Sequence, residues 1–120
     1  MRMIILVLAQ TCVSPLAAQA HESAGSTASQ AIYVCERGVT IPATYITTSP
    51  DGAFAVLNVE GRQVTLAIAR SGSGARYVSI DEEIGYRWHT KGDMAMLSYL
   101  AADDSAEEAI LLRDCRMTDR

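Results

Sequence analysis

Lysine occurs once in this 120-residue chain, tryptophan once and histidine twice. So few histidines leave little material for a metal centre or a histidine-based acid–base pair. HExxH, CxxC and GxSxG are all missing, as is a glycine loop that could cradle phosphate. These absences argue against the common metalloprotease, redox, hydrolase and nucleotide-binding chemistries, and no cofactor is called for. Basic residues are also scarce, 10 against 14 acidic, for a formal charge of -4. That balance argues against nucleic acid as a partner. It permits a basic protein as partner, and equally serves plain solubility. Beyond the N-terminus no apolar run approaches the roughly 20 residues of a bilayer span.

What is present begins with an export pattern. "MRMIILVLAQ" gives a basic start and an apolar run, and "SPLAAQA" ends in Ala18-Gln19-Ala20. This reads as a signal peptide over residues 1–20, cut after Ala20, with a soluble exported product. A lipid anchor through Cys12 is not expected, because the lead-in "LAQT" lacks the small residue and the leucine such a site uses. Cleavage leaves nine basic and fourteen acidic residues, a charge of -5. It also leaves two cysteines, Cys35 and Cys115, and an even pair in an exported chain points to a disulfide. Closing a loop of about 80 residues is worth roughly 4–5 kcal/mol by chain entropy.

Residues 21–31, "HESAGSTASQA", are small and polar and read as a flexible lead. His21 at a new N-terminus has only the distant His89 to help it hold a metal, so no metal site is expected. From Ile32 the apolar period is two. "AIYVCE", "VTIPATYI", "AFAVLNV", "QVTLAIA", "ARYVSI", "GYRWHT", "MAMLSYL" and "AILLRDC" read as about eight short strands, with turn chemistry such as "SPDG" and "EGR" between them. The pattern predicts one all-β domain over residues 32–116, a sandwich or barrel, with residues 117–120 as a tail. "DDSAEEAILLRD" also fits a capped helix with Ser105 as N-cap and Glu108 at N3. A strand is preferred, because it would pair with the first and bring Cys35 near Cys115. Pro42 marks an edge or a bulge, the place where a dimer could form. Val64, Leu66, Ile68, Met96 and Leu97 are expected to fill the interior.

Two turn-rich stretches stand out, "SGSGARY" from Ser71 and "HTKGD" from His89. Residue types alone allow them to be ordinary turns, with Gly74 and Gly92 supplying backbone freedom. A Ser–Lys hydrolase built on Ser73 and Lys91 is a second possibility, but a lysine base must be desolvated and "TKGD" reads as exposed. A small barrel holding an apolar ligand or a cell-wall fragment in its mouth is a third.

Taken in order, Tyr33 and Cys35, the run Ser73-Gly74-Ala75-Arg76-Tyr77, Trp88, Lys91-Gly92-Asp93, Ala95, Leu97 and Cys115 form a pattern. This pattern resembles the bacterial inhibitors of c-type lysozyme, across roughly residues 32–116. The resemblance implies an eight-stranded antiparallel barrel closed by a disulfide between Cys35 and Cys115. It implies no enzyme. It implies a partner, a basic host lysozyme whose cleft receives the serine loop and the lysine loop. Ser73 and Lys91 would enter the cleft, Gly74 and Gly92 would let the backbone approach, and Tyr77 would support them. Ser71 is the alternative serine, and Arg76 is expected to point away beside an inward Tyr77. The Tyr77–Lys91 connection is longer than the family pattern, and the Trp88–Lys91 spacing is one residue wider.

Overall fold

The computed structural model describes residues 25–119, except 49, 51 and 82. The expected signal peptide, Cys12 and His21 lie outside the described residues. Eight strands follow one another: β1 Thr27–Val34, β2 Thr40–Thr48, β3 Gly52–Val59, β4 Arg62–Ala69, β5 Ala75–Ser79, β6 Tyr86–Lys91, β7 Met94–Tyr99 and β8 Ala109–Asp119. Each pairs antiparallel with its sequence neighbour, and β1 pairs with β8 to close a barrel. All eight strands anticipated from the period of two are present, and 109–119 is strand rather than helix.

The ends of the domain differ from expectation. β1 starts at Thr27, inside the stretch read as a lead, because residues 27–30 pair with Thr44–Thr47 of β2. Small polar side chains do not prevent this, since backbone N–H and C=O groups form the ladder. β8 likewise runs through the expected tail to Asp119, beside β1. Pro42 is exposed opposite Ile32, and the β2–β3 ladder begins one residue later at Ala43. The missing N–H thus sits where β2 has a neighbour on one side, and barrel closure leaves no full edge there.

Alternation explains the interior. Tyr33, Ile41, Leu57, Leu66, Trp88 and Leu97 are each at most 1% exposed. They are the inward members of their strands and meet as cross-strand neighbours. Tyr33 stands edge-on to Trp88, with ring centroids 5.1 Å apart. Trp88 Nε1 donates to the Tyr45 hydroxyl at 2.8 Å, which also shares a 2.8 Å hydrogen bond with Tyr33. Large side chains therefore pack the middle of the barrel. Ile68 is inward in register, opposite Tyr77, yet 40% exposed, because β4 ends one residue later and it sits at the rim. Met96 is outward and half-buried, not part of the filling. The disulfide joins Cys35, just after β1, to Cys115 in β8.

In this meander the β2–β3, β4–β5 and β6–β7 connections gather at one end. The β1–β2, β3–β4, β5–β6 and β7–β8 connections gather at the other. Glu60 and Gly61, both at positive φ (52 and 77), make the tight β3–β4 hairpin.

Candidate functional site

Ser73 lies in the β4–β5 loop, residues 70–74, and Lys91 is the last residue of β6. The β5–β6 ladder pairs Ala75 with Thr90, so Gly74 comes to lie against Lys91. A Cβ built on Gly74 would stand 2.2 Å from the Thr90 carbonyl oxygen and 3.2 Å from Lys91 Cβ. Gly74 also has φ 68, where other residues are strained. Both facts require glycine, and both weld the serine loop onto the backbone that carries the lysine.

The loop is held from within as well. Ser71 Oγ donates to the Ser73 carbonyl at 2.9 Å. His89 Nε2 lies 2.9 Å from the same oxygen and donates to it in the Nε2-protonated tautomer. Two side chains thus fix one carbonyl. Ser71 is committed to the loop, while the exposed Ser73 hydroxyl has no hydrogen bond among the described residues. Ser71 thus braces the loop from within, and Ser73 is exposed on it.

Lys91 pairs with Met94 across a two-residue turn, Gly92-Asp93, with Gly92 at φ 59. Glycine at the first central position is the II′ pattern of tight hairpins. The Met117 N–H donates to the Asp93 carbonyl at 2.8 Å, anchoring the turn to β8. Lys91 is exposed and makes no ion pair among the described residues. Exposure removes the desolvation that a lysine base would need, so the Ser–Lys hydrolase idea gains no support.

The other expected positions sort as follows. Tyr77 is buried, 9% exposed, with its ring 5.7 Å from that of Tyr45. Burial raises its hydroxyl pKa above the ordinary 10.0. Its burial places it in the barrel beneath the serine loop. Arg76 faces outward and, with Arg87, meets Glu108 at 3.2 and 3.4 Å. The long connection after β5, residues 80–85, emerges at the opposite end of the barrel. The ladder from Val78–Arg87 to Ala75–Thr90 is unbroken, so the extra length leaves the register of Lys91 against Ser73 intact. Sequence reasoning missed His89 as a brace, although its place two residues before the lysine on an outward strand position was a usable signal.

Residues 33–106 match the family described as membrane-bound lysozyme-inhibitor of c-type lysozyme. The membrane-bound lysozyme inhibitor of C-type lysozyme from Cupriavidus necator is 35% identical over 78 residues, 65% of this chain and 58% of that protein. The match thus spans less than two thirds of that relative's length. Among solved structures, the periplasmic lysozyme inhibitor of C-type lysozyme from Salmonella typhimurium superposes with TM-score 0.63 at 24% identity, over 76% of this chain and 98% of its own. Pseudomonas aeruginosa MliC, solved in complex with hen egg white lysozyme, gives TM-score 0.61 at 24% identity, over 92% and 100%. With the family match covering more than half of its length, the chain belongs to the family of membrane-bound lysozyme-inhibitors of c-type lysozyme.

Proposed function

We propose that this chain inhibits c-type lysozyme by placing Ser73 and Lys91 in the enzyme's cleft. One observation carries the reading: Gly74 packs the serine loop against the Thr90–Lys91 backbone, so that the exposed Ser73 and Lys91, with no hydrogen bond or ion pair among the described residues, sit on neighbouring connections at one end of the barrel. A lysozyme cleft holds two carboxylates, one kept protonated by its surroundings and one ionised. The Lys91 ammonium makes charge-assisted hydrogen bonds to them. The Ser73 hydroxyl donates or accepts, and so fits either protonation state of the acid. Gly92 adds no side chain at the tip, and nothing lies within 4 Å of where its Cβ would be. Inhibition is occlusion, with no bond made or broken. The acidic balance of the chain speeds encounter with a basic enzyme. The reading places the protein in the periplasm, free of an anchor, in keeping with relatives named membrane-bound or periplasmic.

The test is a turbidity assay with hen egg white lysozyme and a suspension of bacterial cell walls. The purified protein blocks lysis near one-to-one stoichiometry. Lys91→Ala weakens binding by about 2–5 kcal/mol, the usual cost of removing a buried interfacial charge. Ser73→Ala costs about 1 kcal/mol. A folded Lys91→Ala protein that inhibits like the wild type would sink the mechanism.

A further inference from the structure

We propose that the outward face of the β6–β7 hairpin, with the neighbouring part of β8, is a second contact surface for the same lysozyme. It receives an apolar side chain from the wall of the cleft that Ser73 and Lys91 enter. This rests on the function proposed above and extends it.

In β7 the inward residues are Ala95, Leu97 and Tyr99, which leaves Met94 and Met96 on the outer face. Polar residues are the rule on a solvent-facing side. Two methionines there need a reason, and both are only half-buried. The β7–β8 register supplies a second observation. Ala95 pairs with Cys115 and Leu97 with Leu112, so β8 takes three steps where β7 takes two. Arg113 and Asp114 therefore both stand opposite Met96, and Asp114 has φ 54. This is a β-bulge, a device that re-aims side chains and bends the strand. The result is a groove of about 380 Å³ lined by Met94, Met96, Lys91, His89, Arg113 and Asp114.

The occupant follows from continuity, size and chemistry. Lys91 lines the groove and sits directly opposite Met94, so a partner that engages Lys91 is already at its mouth. The serine loop and the lysine turn are two short tips. Stable protein complexes cover about 800 Å² per partner with some 20–30 residues a side. The tips fall short of that, and the groove is the adjoining apolar surface. Sugar-binding clefts are walled largely by aromatic and aliphatic side chains. Methionine adapts its shape to such partners and is enriched at interfaces.

Binding of hen egg white lysozyme to the full protein is measured by calorimetry for Met94→Glu, Met96→Glu, Met96→Leu and Lys91→Ala, with thermal melts confirming the fold of each. Met96→Glu is expected to weaken binding at least ~tenfold, as a charge brought into a desolvated contact does, and it carries the test; Met94→Glu weakens binding as well, but there the glutamate faces Lys91 directly and pairs with it. Met96→Leu stays within ~threefold of wild type, since it keeps size and polarity. A folded Met96→Glu protein that binds like wild type, while Lys91→Ala fails, overturns the groove and leaves the proposed function standing. No binding by the wild-type protein overturns both. A wild-type dimer that Met96→Glu splits, with lysozyme affinity unchanged, assigns the groove to a second copy of the chain and also overturns the proposal.

Discussion

The two ends of the barrel are built differently. At one end the β4–β5 loop and β6–β7 turn are short, glycine-containing and pinned by backbone contacts: Gly74 on Thr90, Ser71 and His89 on the Ser73 carbonyl, Met117 on the Asp93 carbonyl. At the other end the connections after β5 and β7 are longer and carry Asp81, Glu83, Asp103 and Asp104. Some of their contacts are local, such as Asp103 accepting from the Ser105 hydroxyl and N–H at 3.0 Å, while the Leu100 N–H donates to the Gly85 carbonyl at 2.9 Å and ties the two connections together. Between the ends runs an unbroken ladder centred on Tyr77–Trp88. A length change at the far end is absorbed there, because a one-residue slip of the ladder would turn every inward side chain outward. The ladder thus keeps the register at the proposed binding end independent of length changes at the other, although Glu108 of the β7–β8 connection reaches Arg76 and Arg87 on the outer face.

Removing the disulfide should erase the difference by costing both ends their scaffold. Cys35 and Cys115 are 80 residues apart in sequence. Replacing both by serine is expected to cost about 4–5 kcal/mol, a large part of the stability of a small domain. Thermal melts with and without reductant check this. An unchanged melting temperature would mean that the β1–β8 pairing alone holds the closure.

Two glycines sharpen the contrast with the same chemical change. A Cβ on Gly85, at the far end, would meet the Leu100 carbonyl oxygen at 1.8 Å, much as one on Gly74 would meet that of Thr90 at 2.2 Å. Each alanine substitution forces backbone apart and is expected to cost about 1–3 kcal/mol of stability. The difference is functional. Gly85→Ala lowers the melting temperature and leaves the folded protein fully inhibitory. Gly74→Ala separates Ser73 from Lys91 and weakens inhibition at least ~tenfold. Equal inhibition by the two folded variants would refute the assignment of binding to the Gly74 end.

Much of this was legible in the sequence. The period of two located all eight strands, and Tyr86 and Trp88 were read onto one face, where both are buried. Turn chemistry located Gly74 and Gly92. What was not legible depends on backbone pairing rather than on side-chain type. Thr27 to Gln30 look like a lead because nothing in their side chains demands a strand. "MAMLSYL" reads as a strand apolar on both faces, and only the bulge opposite Met96 opens the outer one. Ile68 keeps the inward phase but lies one residue from the end of its strand.

Alkaline pH is a reversible lever on the far end. The Tyr86 hydroxyl donates to the Glu60 carboxylate, and burial, then that hydrogen bond, push its pKa from 10.0 up to about 12. A raised folded-state pKa gives stability that is fully present below pH 10 and is lost as pH climbs to about 12. Burial also raises Tyr45, so the trend has more than one source. Melting temperature should fall across this window, and Tyr86→Phe should start lower and fall less steeply. An identical slope for the variant would remove Tyr86 from the account.

The smallest expected effect tests the brace at the binding end. His89 contributes one of the two hydrogen bonds to the Ser73 carbonyl, and Ser71 keeps the other. His89→Ala should leave the melting temperature nearly unchanged, because the lost bond lies near the surface and is worth about 1 kcal/mol at most. Inhibition should still weaken, by roughly threefold to tenfold, because a loosened loop must be ordered on binding. His89 also lines the methionine groove, so alanine alone cannot separate bracing from contact. His89→Gln does, since its amide keeps a donor for the Ser73 carbonyl while its shape in the groove differs. Recovery with glutamine assigns the effect to the brace, and equal loss in both variants assigns it to the groove.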